Sequence, residues 1–247
     1  AALANLARES TENRTAILEA GGIPRLLALL HSTSAKAKEN SASAIAQLAY
    51  KSLANQTAIA EANGISTLVS TLQSASLNVK EISGVKLCEL TAAAIWNMAD
   101  DNPENKTRLM KEGAIPPVVG LVTNPVPEMQ TNAAGALACL SKDHPDNQAA
   151  IARSGAIPPL CTNVRDGTPE TREESAAALW ALATDNAPNK ATIAKLGGIE
   201  PLVNMLMYGS TDMSSFNAAG ALAALATQHA DNRLTITKRL VGVLGAK

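Results

Sequence analysis

The sequence predicts an all-α solenoid of stacked helical repeats, and three observations carry that prediction. Markers recur at a near-constant spacing, the apolar residues are those that favour helices, and aromatic residues are scarce. Of 247 residues, 46% are apolar and only 2% aromatic, with a single Phe. Ala and Leu dominate the apolar share; both are strong helix formers, and an Ala-rich interior suits helices packed closely together.

The repeat is read from three markers in one register. The segments AGGIPRLLALL, ANGISTLVSTL, EGAIPPVVGLV, SGAIPPLCTNV and LGGIEPLVNML place Ile at 23, 65, 115, 157 and 199, in steps of 42, 50, 42 and 42. Asparagines at 13, 55, 105, 147, 189 and 232 follow the same steps. An Ala-rich segment with an L-x-x-L or I-x-x-L/M core begins its apolar pair at Leu3, Ile45, Ile95, Leu137, Leu179 and Leu222.

Each unit then reads as three helices. The recurring Asn, beside an acid or Pro in TENR, PENK, PDNQ and APNK, is expected to cap a short first helix with its side chain. The Gly that follows gives the freedom for a sharp turn. Pro24, Pro116 and Pro158 stand at the start of a second helix, where a missing N–H costs little. Ile23, Leu26, Leu27 and Leu30 give that helix its apolar spacing. A polar loop leads to a long third helix such as EESAAALWALATD, in which Leu179 and Leu182 face the core.

The pattern N-x-x-x-I-x-x-x-G-[AG]-I-P-x-L followed by A-x-A-L-[WA]-x-L-A, as in Asn147 to Ala183, resembles the armadillo repeat family. A two-helix HEAT solenoid lacks the Gly-Ile-Pro turn. The resemblance implies a right-handed superhelix with the third helices lining a concave groove. It divides the chain into full repeats at 13–49, 55–99, 105–140, 147–183 and 189–226. Residues 1–9 read as the end of a preceding repeat and 231–247 as a partial one, so a piece of a longer protein is expected. The apolar ends, Leu3 and Leu6 at one and Val241 and Leu244 at the other, predict weak self-association.

One repeat departs from the pattern. Ile65 to Ile95 spans 30 residues where Ile23 to Ile45, Ile115 to Leu137 and Ile157 to Leu179 each span 22, so eight residues are inserted within SASLNVKEISGVKLCELTAA. They are expected to lengthen the third helix or to form a loop interrupted at Gly84.

Composition and motifs argue against several function classes. With 21 basic and 22 acidic residues the net charge is −1, so nothing global draws nucleic acid or an anionic membrane. No apolar run reaches the ~18 residues of a membrane span. Cys88, Cys139 and Cys161 are odd in number and unpaired in spacing, which fits reduced thiols and a cytoplasmic or nuclear location. Sequons at Asn13, Asn55 and Asn105 fall at one repeat position and read as helix starts rather than glycan acceptors. His31, His144 and His229 lie in loops without metal-ligand spacing. Asp100–Asp101 and Glu173–Glu174 read as solvated helix ends. No phosphate loop or nucleophile elbow occurs. No enzyme activity and no cofactor are expected.

Binding follows from the resemblance. In importin-alpha and related armadillo proteins an Asn on each third helix clamps a bound main chain, and a Trp four residues earlier packs its side chains. The Asn position here holds Asn5, Gln47, Asn97, Cys139, Ala181 and Ala224. The Trp position holds Ala1, Ser43, Ala93, Gly135, Ala177 and Gly220. The array is therefore broken, and the chain is not a close match to importin-alpha. Groove charge, with Arg8, Asp100, Lys142, Glu173 and Glu174, is mixed, unlike the basic groove of beta-catenin-like proteins. Trp96 and Trp180 stand one residue before the Asn position, at the groove edge or between repeats, as packing residues or as ligand contacts. The candidate protein-binding residues are Asn5, Gln47, Trp96, Asn97, Asp100 and Trp180. The expected function is a scaffold or adaptor holding an extended protein segment. A permanent subunit of a large assembly, or the substrate-binding part of a longer protein such as a ubiquitin ligase, are the alternatives.

Overall fold

The computed structural model describes residues 2–8, 10–77 and 82–245, which form seventeen helices and no strand among the described residues. In chain order they are α1 (Ala2–Arg8), α2 (Thr11–Glu19), α3 (Gly22–Leu29), α4 (Ala35–Ala49), α5 (Leu53–Glu61), α6 (Gly64–Ser76), α7 (Ile82–Ala99), α8 (Pro103–Lys111) and α9 (Ile115–Leu121). There follow α10 (Pro127–Ser141), α11 (Pro145–Arg153), α12 (Ile157–Asp166), α13 (Pro169–Ala183), α14 (Ala187–Lys195), α15 (Ile199–Tyr208), α16 (Asp212–Ala226) and α17 (Ala230–Gly245). The chain divides into two compact units, Ala1–Val118 and Val119–Lys247.

Within the first unit α4 packs between α1 and α7, with α3 on α4 and α6 on α7. Within the second, α13 packs between α10 and α16, with α12 on α13, α15 on α16, and α17 against both α15 and α16. The repeating apolar pair supplies the core: Ile45 and Leu48, Ile95 and Met98, Leu137 and Leu140, Leu179 and Leu182, Leu222 and Leu225 are all buried. Buried Ala134, Ala136, Ala176, Ala178, Ala218 and Ala221 sit in the faces that let α10, α13 and α16 approach one another.

The turn after each first helix needs a left-handed backbone. Gly21, Gly113, Gly155 and Gly197 supply it at φ between 67° and 81°, and Asn63 takes the same role at φ 62°. A second series was not read from the sequence: Lys51, Asp101, Asp143, Asp185 and Gln228 adopt φ between 45° and 56° just after α4, α7, α10, α13 and α16. Asp tolerates that region better than most side chains, which accounts for its presence at three of the five positions.

The expected role of the recurring asparagines is corrected. The first helices are capped three residues earlier, by Ser10, Ser52, Asn102, His144 and Asn186, whose side chains accept the backbone N–H of Asn13, Asn55, Asn105, Asn147 and Asn189. His229 does the same for Asn232 through Nδ1, at 3.3 Å. Two of the three loop histidines are thus helix caps. The asparagine side chains instead turn back: each Nδ2 donates to the carbonyl seven residues earlier, on Leu6, Leu48, Met98, Leu140, Leu182 and Leu225, at 2.9–3.0 Å. Those carbonyls lie in the last turn of the preceding third helix, where no intrahelical donor exists. Asn55 and Asn105 are buried in these bonds, so their sequons are closed to a glycan in the folded chain.

The inserted residues are shared between two helices rather than given to one. Helix α6 has 13 residues against 7–10 in α3, α9, α12 and α15, and α7 has 18 against 15 in α4, α10, α13 and α16. Gly84 lies within α7 and interrupts nothing. Residues 78–81 of the insertion lie outside the described residues.

Candidate functional site

At three of the repeats the residue after the recurring Asn reaches the end of the next third helix. In the first unit Gln56 on α5 donates through Nε2 to the carbonyls of Asn97 at 2.8 Å, Asp100 at 3.2 Å and Ala49 at 3.2 Å. Its Oε1 accepts from Nδ2 of Asn102 at 3.0 Å. One buried amide thereby joins the ends of α4 and α7 to the cap of α8. In the second unit Gln148 on α11 repeats the arrangement, donating to Ala181 at 2.9 Å and Thr184 at 3.2 Å and accepting from Asn186 at 3.0 Å. Lys190 on α14 replaces the amide at the next junction and donates to the Thr227 carbonyl at 2.8 Å. A cation at the end of α16 meets the negative end of the helix dipole, which favours burying that ammonium there.

These clasps fix the surface on which the candidate residues stand. Asn5 is exposed on α1, and Gln47 on α4 is half-buried. Trp96, Asn97 and Asp100, on or just after α7, are half-buried. Asn97 Nδ2 donates to the Ala46 carbonyl at 2.8 Å, which brings the Asn97 side chain against the Ala46–Gln47 stretch of α4. Trp180 belongs to the second unit, on α13, and is half-buried.

Two residues missed in the sequence shape the surroundings of Trp180. A Cβ on Gly220 would fall 2.5–2.6 Å from indole carbons of Trp180, so only Gly lets that ring lie against α16. Phe216, one turn earlier on α16, meets the indole edge-on, with centroids 5.4 Å apart and planes at 71°. That geometry suits the aromatic quadrupole, yet Phe216 is 60% exposed. Beside the indole lies a cavity of about 200 Å³ whose lining includes Thr184, Asp185, Lys190, Ala223 and Thr227. The seat combines an aromatic wall, a carboxylate and the end of a helix. The lone Phe and a Gly inside an Ala-rich helix were the available sequence signals.

Glu173 and Glu174 are not solvated ends but lie inside α13, both half-buried. Glu173 accepts from Thr211 Oγ1 at 2.7 Å and Ser214 Oγ at 3.1 Å, which ties α13 to α16. Burial, and then the neighbouring Glu173, push the Glu174 carboxyl up to about 7. Burial also raises the thiols of Cys88 and Cys161, to about 11 and 12, which leaves little of the nucleophilic thiolate. Among the described residues no three His, Cys, Asp or Glu side chains gather as metal ligands would, and no helix is long and apolar enough to cross a membrane.

The sequence profile of the Armadillo/beta-catenin-like repeat matches residues 10–50, 102–142 and 144–184. No curated protein matches the sequence. Among solved structures, a designed armadillo repeat protein is 26% identical, covers 90% of both chains and superposes with a TM-score of 0.80. Another, described as one of the "computationally designed armadillo repeat proteins for modular peptide recognition", is 26% identical over 90% of both chains with a TM-score of 0.77. An engineered protein at 26% identity covers 92% of this chain and 88% of its own, with a TM-score of 0.82. The all-helical repeat fold expected from the sequence is thus the fold of these proteins.

Proposed function

The chain belongs to the armadillo repeat family, and on that premise we propose that it is a non-catalytic scaffold or adaptor that holds an extended segment of a partner protein on its third-helix surface. The observation that carries the reading is Trp180, half-exposed against Gly220 and Phe216 beside a small cavity. Exposed aromatic anchors of this kind dominate protein-binding energetics. A structure of similar fold designed for peptide recognition adds support.

In the first unit the candidate residues are Asn5, Gln47, Trp96, Asn97 and Asp100, and in the second, taken by itself, Trp180. An Asn amide has two N–H donors and a carbonyl acceptor. One N–H of Asn97 serves Ala46, and the second, with the acceptor, matches the needs of a ligand's backbone amide. The repeats are taken as 13–49, 55–99, 105–140, 147–183 and 189–226 between two partial ones. The three cysteines, none of them in a disulfide among the described residues, support a cytoplasmic or nuclear setting.

The test uses a peptide selected from a random displayed library by the full chain. Asn97→Ala and Trp180→Ala are each measured for peptide affinity and melting temperature. Weaker affinity at near-constant melting temperature supports the surface. Affinity unchanged in both variants moves the site elsewhere.

A further inference from the structure

We infer that the second unit carries another recognition site, between α12 and α15, which takes a carboxylate-bearing segment of a partner protein. The site is a cavity of about 660 Å³, bounded by the end of α12, the start of α13 and one face of α15. It lies toward the opposite end of α13 from Trp180, so it is separate from the surface proposed above. Its volume is within the range of about 300–1,000 Å³ typical of ligand sites.

The charge of the lining selects the ligand. Arg165 and Arg172 both line the cavity, and neither forms an ion pair among the described residues. The one lining carboxylate, Glu200, pairs with Arg239 at 3.1 Å, which offsets its charge. Two unpaired guanidinium groups therefore meet in a chain whose net charge is −1. Asp166 and Glu170, although close in sequence, do not line the cavity.

The site is partly organised in advance. Arg172 Nη2 donates to the Arg165 carbonyl at 2.9 Å, in the last turn of α12, and this holds the guanidinium at the cavity. Guanidinium has five N–H donors in a planar fork, so one bond to the backbone leaves enough to grip a carboxylate through two parallel bonds. The exposed Asn204 amide adds polar groups, and Tyr208, 63% exposed, adds an aromatic wall. Pro201 and Met205 make the floor apolar. Arg and Tyr beside an apolar floor fit an acidic residue next to an apolar one in a peptide chain.

The test is a titration of the full chain with acetylated tetraglutamate amide and, separately, tetraglutamine amide, followed by amide chemical shifts. Saturable shifts at Gly197, Gly209 and Ser210 with tetraglutamate alone are expected. The paired variant R165Q/R172Q should weaken that binding by about ten- to a hundredfold and keep the parent melting temperature. Four results would overturn the inference: equal shifts with tetraglutamine, binding indifferent to R165Q/R172Q, shifts confined to the Trp180 indole, or tighter saturation of the same amides by inorganic phosphate. The last would assign the cavity to a phosphoryl group rather than an acidic peptide. The shifts at Gly197, Gly209 and Ser210 are read independently of whether the Trp180 surface binds anything.

Discussion

Gln56 in one unit and Gln148 in the other close the same clasp, while the surfaces beside them differ. Both amides donate to two carbonyls at the end of a third helix and accept from the Asn that caps the next first helix. Beside the first clasp stand Trp96 and an Asn97 whose side chain bonds α4. Beside the second stand Trp180 and Ala181, with the indole spread over Gly220. The buried amide must satisfy several polar groups at once, and an unsatisfied one costs about 1–3 kcal/mol. The half-buried neighbours have fewer polar groups to satisfy: Asn97 makes one side-chain bond and Ala181 has no polar side chain. Repetition within this chain is therefore strict at the recurring Asn, whose side chain serves the same carbonyl in every repeat, and looser at the residue after it and on the surface beside the clasps.

The largest effect that tests this contrast is in the core. Leu137→Ala should cost about 2–5 kcal/mol through lost burial and a cavity, read by urea denaturation, since Leu137 is fully buried. Leu3→Ala, at the matching position but 40% exposed, should cost far less. Next comes the asparagine bond. Asn147→Ala leaves the Leu140 carbonyl without its side-chain donor and should cost about 1–3 kcal/mol, whereas Asn13→Ala, half-buried, should cost less.

A smaller effect sharpens the comparison of clasps. Lys190→Gln alone should lose about 1 kcal/mol, because His229 stands where Asn102 and Asn186 supply the amide donor. Adding His229→Asn should recover most of the loss by rebuilding the clasp seen at Gln148. Equal melting temperatures for the single and double variants would mean that the clasp does not depend on its Asn.

A further effect, of a different kind, is a slope with pH. The Glu174 carboxyl is raised from 4.5 to about 7, so between those values the folded chain binds more protons than the unfolded one. Stability then falls as pH rises through that window. Glu174→Gln should flatten this part of the curve and raise the melting temperature above pH 7.

The apolar positions were legible because burial enforces the period: Ile45, Ile95, Leu137, Leu179 and Leu222 are all core residues. The asparagines were legible as positions but not as bonds. Asn is a good generic cap, and the real caps are Ser, Asn and His, a set without one residue type to betray it. The length of the insertion could be counted, but its division between α6 and α7 could not, since both flanks are helix formers. The meeting of Trp180 with Phe216 and Gly220 joins positions 36 and 40 residues apart. No spacing rule within a helix reaches that far.

Whether the third-helix surface beside Trp180 is a binding surface is tested most directly by obstructing it without disturbing the packing beneath. Ala223 is exposed and lines the cavity beside the indole, so Ala223→Arg places a bulky cation there and leaves Trp180, Gly220 and Phe216 in place. The measurement is the affinity of a library-selected peptide for the full chain and for this variant, with the melting temperature of each. The account predicts a loss of more than about tenfold at an unchanged melting temperature. Equal affinity for the two chains would contradict it.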